Sequence, residues 1–116
     1  MTVWIDMFGA KHGDGTTTVA ALTALGTGLL GSTVVVGDED LPVTLGVEGF
    51  GEVPTLEGEL TAAFTPPVET DADVVVVDWG VQVPPRVGDH ASYMVVRPSA
   101  VSLARARQVA RSAYDA

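Results

Sequence analysis

Four consecutive valines, Val74 to Val77, constrain this chain more than any other feature. A strand with one wet face alternates apolar and polar residues. A strand that is apolar at every position has to be covered on both faces, as in a parallel sheet wrapped by its own crossovers. Such sheets are built from strands alternating with helices, and the remaining sequence follows that plan. Val3-Trp4-Ile5-Asp6-Met7-Phe8 reads as a first strand, followed by a glycine-rich loop from Gly9 to Gly15. Thr16 to Leu30 reads as a helix: Val19, Leu22, Leu25 and Leu29 recur at helical spacing, and Gly31 stands at the C-cap. Thr33 to Gly37 is a second strand, leading into the acidic triplet Asp38-Glu39-Asp40. Residues 41–54 show no period, contain Gly46, Gly49 and Gly51, and read as loop. Thr55 to Phe64 reads as a short helix interrupted by Gly58 and ended by Pro66-Pro67. After the valine strand, Val81 to Asp89 is an irregular connection holding Pro84-Pro85. Ser92 to Arg97 is a fourth strand, and Ser99 caps a helix running to about Tyr114. The expected fold is α/β in three layers, with a mainly parallel sheet of about four strands in one domain spanning residues 1–116. The direction of the fourth strand stays open, because its crossover has barely the dozen or so residues a parallel connection needs.

Composition narrows the function classes. With 47% apolar and 18% charged residues in 116, the chain has the material for a core. It has no cysteine, which excludes disulfides, thiolate metal sites and cysteine nucleophiles. Its two histidines, His12 and His90, are too few for a histidine-rich metal centre. No apolar run approaches the ~20 residues of a membrane helix. The N-terminus lacks the basic-then-apolar layout of a signal peptide. The expectation is therefore a cytoplasmic protein with no membrane partner. The net charge of −9 argues against nonspecific nucleic-acid binding by the whole surface. The charge is unevenly spread. Residues 1–85 hold Lys11 against thirteen acids, a net −12, while residues 86–116 hold five arginines against Asp89 and Asp115, a net +3. Arg105, Arg107 and Arg111 fall on the last helix, and Arg107 and Arg111 share a face. A solvated helix face and a contact for nucleic acid are both open there.

The loop reads Gly9-Ala10-Lys11-His12-Gly13-Asp14-Gly15-Thr16-Thr17-Thr18. A glycine-rich turn between strand and helix lets backbone N–H groups converge on a phosphate, and the helix N-terminus adds its positive end. It also serves simply as a tight connection. The standard phosphate loop, GxxxxGK[ST], adds a lysine for the β- and γ-phosphates and a hydroxyl for Mg²⁺. Here Thr16 stands at the lysine position and Thr17 at the hydroxyl position.

This segment resembles the deviant phosphate loop of the ParA/MinD family of ATPases, KGGxGKTT. Lys11 falls on the family's signature lysine, Gly13 and Gly15 on its glycines, and Thr17 and Thr18 on its threonines. His12 replaces a glycine and Thr16 replaces the second lysine. Three further segments follow in the family's order. Val34 to Asp40 is similar to its second strand with a terminal D-x-D. Asp73 to Gly80 is similar to its Walker B strand, with Asp78 on the Mg²⁺-associated aspartate. Asp89 to Ser99, then Ser102-Leu103, is similar to its late strand, turn and helix. The resemblance implies a minimal domain like those of P-loop NTPases. It implies ATP with magnesium as cofactor, held by Lys11, Gly13, Gly15, Thr16, Thr17 and Thr18. It places the metal near Thr17, Asp78 and Asp40. The family's domains are roughly twice as long, and the later elements that help hold adenine have no counterpart in this chain.

The departures bear on activity. Loss of a charge-assisted phosphate contact at Thr16 costs about 1.5–3 kcal/mol of binding and removes charge stabilisation from phosphoryl transfer. Asp14 adds a carboxylate to the loop. The family's signature lysine reaches a partner's phosphates across a sandwich dimer, so Lys11 does not compensate within one chain. The reading that follows is a truncated ParA/MinD-like protein, catalytically impaired. It acts as a binding, assembly or regulatory module in a partition or positioning system, as a homodimer or with a full-length relative. A minimal active ATPase and a structural homodimer without nucleotide are the alternatives. Asp38, Glu39 and Asp40 read as a solvated turn more readily than as a switch or metal shell, Asp78 equally as a loop cap, and Trp79 as core or as a stacking surface for a base or a partner.

Overall fold

The computed structural model describes residues 1–114; Asp115, counted above in the basic C-terminal end, lies outside them. The elements are β1 (Val3–Gly9), α1 (Thr16–Gly28), β2 (Ser32–Val36), α2 (Asp40–Leu45), β3 (Gly51–Val53), β4 (Glu59–Ala63), β5 (Val74–Asp78), β6 (His90–Val95) and α3 (Ala100–Tyr114). They form one sheet in the order β3-β4-β2-β5-β1-β6. All neighbours are parallel except β3, which runs antiparallel to β4 at the edge.

The valine strand lies near the centre, between β2 and β1. Val74 and Val76 join the cluster on one face, Val75 and Val77 the cluster on the other. Val75 and Val76 are fully buried. The burial on both faces implied by the unbroken apolar run is therefore present. β6 lies parallel to β1, with Trp4 beside His90 and Phe8 beside Met94. That settles the direction of the strand expected at Ser92 to Arg97, whose observed bounds lie two residues earlier.

Several expectations are corrected. The sheet has six strands, not about four. The segment Thr55 to Phe64 is not a helix. Leu60 and Ala62 are buried while Glu59, Thr61 and Ala63 are not, a period of two that makes β4. Gly58, read as an interruption, is a turn residue at φ +71° that brings the chain from β3 back into β4. Residues 41–54 are not all loop, since they hold most of α2 and all of β3. α2 is too short to show a period, but Gly46 at φ 78° ends it as a left-handed C-cap. Leu41 is fully buried beneath Gly37.

The third layer is also revised. α1 and α2 pack on the face that holds Ile5, Met7, Val35 and Val76. On the opposite face the side chains packed against Val36, Val75 and Val77 are Trp4, Val34, Ala63 and Trp79, none of which belongs to a helix. α3 has only sparse contacts with the sheet. The most buried stripe of α1 is Thr16, Ala20, Ala21, Ala24 and Gly28; of the expected residues, Val19 and Leu25 pack against the core while Leu22 and Leu29 are exposed. Small residues are needed because the helix lies close to the sheet: a Cβ on Gly28 would stand 3.3 Å from that of Leu60. α1 ends at Gly28, so Gly31 is not its C-cap; a side chain there would run into Asp73.

Candidate functional site

The C-terminal ends of β1 and β5 lie side by side, with Met7 paired to Asp78. β1 releases the chain into the glycine-rich loop. The Gly9 N–H donates to the Gly80 carbonyl at 2.6 Å and the Ala10 N–H to the Val95 carbonyl at 3.1 Å, so the loop leaves a fixed platform. Gly13 and Gly15 adopt φ 87° and 89°, a backbone region that side chains strongly disfavour. Gly15 is the N-cap of α1 and has no side chain to cap the first turn. The orphan N–H groups of that turn are left for an outside acceptor.

The residues expected at the site come together. Lys11, Gly13, Gly15, Thr16, Thr17 and Thr18 line one cavity of about 290 Å³, with Asp38 and Asp40 on its other wall. A second cleft of about 380 Å³ shares Thr17, Asp38 and Gly80 with it and adds Asp78, Phe64 and Trp79. The Thr17 hydroxyl donates to Asp78 Oδ2 at 2.7 Å, and the Gly80 N–H donates to Asp78 Oδ1 at 2.9 Å. Asp78 thus both caps a turn and orients Thr17. Asp40 lines the cavity, and its N–H donates to Asp38 Oδ1 at 3.0 Å. Among the described residues, no group of three or more histidine and carboxylate side chains converges to hold a metal.

Two expectations about the loop change. Asp14 lines the cradle but is buried there rather than open: its Oδ1 accepts a hydrogen bond from the Ser102 hydroxyl of α3 at 2.8 Å and lies 3.6 Å from Lys11 Nζ. Burial pushes its carboxyl up, but the Ser102 hydroxyl, the Lys11 ammonium and the Arg97 backbone outweigh this and hold it below the ordinary 3.8. Lys11 is therefore engaged inside the loop, and it also donates to the His12 carbonyl at 3.3 Å. Thr16 is buried, with its hydroxyl against Gly9, and offers nothing that replaces a lysine.

These residues meet a nucleotide's requirements unequally. Thr17 and Asp78 suit two positions around a hard divalent cation. The polyphosphate fares worse: the cavity walls carry Asp14, Asp38 and Asp40 against the single, already paired Lys11. Thr17 and Asp78 therefore offer two oxygen positions to a cation, while the acidic walls oppose a polyphosphate.

A second network joins residues that the sequence reading had not connected. Asp6, fully buried in mid-β1, accepts from Trp79 Nε1 at 3.0 Å and pairs with His90 Nδ1 at 2.9 Å; His90 stacks on Trp4 at 4.8 Å. A carboxylate inside an apolar strand was the available signal. Ser102 gave none, because nothing in the sequence links it to a residue 88 positions away. Arg105 and Arg107 are exposed, and Arg105 donates to Gln108 Oε1 at 3.2 Å. No helix among the described residues is long and apolar enough to cross a membrane. Family models, curated proteins and solved structures were compared with the chain, and none matches it.

Proposed function

We propose that this chain is a ParA/MinD-like protein that has lost efficient ATP hydrolysis and works as a binding, assembly or regulatory module. The observation that carries the reading is the 2.7 Å hydrogen bond from Thr17 to Asp78. These residues are 61 positions apart. They meet where a strand, a glycine-rich loop and a helix N-terminus would place the hydroxyl and the aspartate of a Mg²⁺ shell. The impairment follows from the same loop, where Thr16 is buried and Lys11 is paired with Asp14. Phosphoryl transfer depends on positive charge at the transferred group, and none is free at this position.

Calorimetric titration with ATP, ADP and GTP in the presence of Mg²⁺ tests the proposal, with Lys11→Ala as control. Weak binding without turnover is expected. Turnover of Mg·ATP that Asp78→Ala abolishes would sink the claim of impairment and favour the minimal ATPase, the reading to which the intact Thr17–Asp78 pair also lends support. Absence of binding at millimolar nucleotide would leave a homodimeric interaction domain.

A further inference from the structure

The loop holds a carboxylate that a phosphate-reading loop does not need. Asp14 is 6% exposed. Its Oδ1 takes both the Ser102 hydroxyl, at 2.8 Å, and the Lys11 ammonium, at 3.6 Å. Its Oδ2 is buried with no hydrogen-bond partner among the described residues. One atom therefore serves two elements, and the carboxylate is only half satisfied where it sits. A buried acceptor left unpaired is costly, which makes this arrangement one that a competing group can displace.

α3 has little else to hold it at this end. Ser102 is its one fully buried residue among those described. The side chains at Ala106, Val109 and Ala110 are half-buried and mostly small, while Val101 and Leu103 are exposed. The Ser99 hydroxyl caps the first turn by accepting from the Ser102 N–H at 3.2 Å, which positions Ser102 to face the loop. The attachment of this turn to the body runs through Asp14, by the Ser102 hydroxyl at 2.8 Å and by the Arg97 backbone just before the helix.

We propose that Asp14 is an intramolecular counter-anion that locks the glycine-rich loop, holding Lys11 and tethering α3 through a single carboxylate, so that its release frees both. A displaced α3 presents Arg105, Arg107 and Arg111 on a helix no longer fixed to the acidic body. On the phosphate-loop reading, on which this part of the inference rests, the group that displaces Asp14 from Lys11 is a phosphate. The lock is thus an autoinhibitory contact between the loop and the basic helix.

The chain has a single lysine, so amine acetylation followed by peptide mass spectrometry reports Lys11 directly. Asp14→Asn is expected to raise Lys11 labelling several-fold. It should also speed amide exchange in the first two turns of α3 by about tenfold, while exchange in β5 stays slow. Ser102→Ala keeps the charge and cuts the tether. It should speed α3 exchange with Lys11 labelling near wild type, and it decides the matter if Asp14→Asn does not fold. Unchanged α3 exchange in Ser102→Ala, or unchanged Lys11 labelling in a folded Asp14→Asn, overturns the lock. Inorganic pyrophosphate, added to the wild type, should speed α3 exchange and protect Lys11 in Asp14→Asn. If the variants behave as expected but pyrophosphate protects Lys11 in neither protein, the lock stands and the phosphate-loop reading falls.

Discussion

Asp14 titrates against the usual direction for a buried carboxylate. Burial alone raises such a group, yet hydrogen bonding by Ser102 and the charge of Lys11 hold it below 3.8. A depressed folded-state value means that the unfolded chain binds the proton first as pH falls. The stabilisation from Asp14 is therefore complete above the unfolded value, near 4, and disappears as pH drops through the lower folded value. Urea midpoints for wild type and Asp14→Asn should differ at pH 6 and converge as pH falls below 4. The other acids contribute to both proteins and cancel in the difference. A gap that widens on acidification would contradict the assignment. This residue also shows where sequence reading stops. Its position in the loop was plain, but its bond to α3 depended on a partner 88 residues away.

At the scale of elements, legibility tracks how long a pattern runs. β1, β2 and β5 were evident because runs such as Val74 to Val77 have one physical solution, burial on both sides. β4 was misread because five residues flanked by glycine and proline support either period, and the deciding fact is pairing to β2 and β3. α1 was found, but its buried face only in part: Val19 and Leu25 pack against the core, while Leu22 and Leu29 do not. Apolar residues surround it, and closeness to the sheet selects alanine and glycine over leucine. In the candidate site, Thr17 and Asp78 were legible because each ends or begins an element, whereas the Asp6–His90–Trp79 network depends on sheet register. Three substitutions test this account. Val76→Ala empties a fully buried position in the central strand and should cost about 2–3 kcal/mol in urea unfolding. Val68→Ala, at a fully exposed site, should stay within about 0.5 kcal/mol. Gly58→Ala should destabilise by about 1–3 kcal/mol. It places a Cβ at φ +71° against the Gly28 and Gly31 carbonyl oxygens, which the β3–β4 turn cannot move without unpairing β4. A neutral Gly58→Ala would mean that the turn relaxes freely.

At the scale of the whole molecule, one face of the sheet has helical cover and the rest of the surface keeps large apolar side chains in water. Leu30 is 91% exposed, Val43 77% and Leu22 63%, all carried on or beside the α1–α2 layer. Phe64 is 60% exposed beside the cleft shared with Thr17, and it meets Phe50 edge-on. Apolar surface on that scale favours association. The charges supply a geometry: with a net −12 over residues 1–85 and exposed arginines on α3, two copies attract when the helix of one faces the body of the other. Two α3 helices face to face would instead oppose like charges. Light scattering should therefore find a dimer at high concentration. An apolar contribution would survive 1 M salt, where exposed charges are screened within about 3 Å, and a charged contribution would not. Replacing Arg105, Arg107 and Arg111 together by glutamate should shift the monomer–dimer balance toward monomer at low salt and change little at 1 M. A dimer indifferent to those three arginines would assign the interface to the leucines of α1 and the loop after it. A strictly monomeric species at every concentration would remove self-association from the account, and leave the uncovered surface to a different partner.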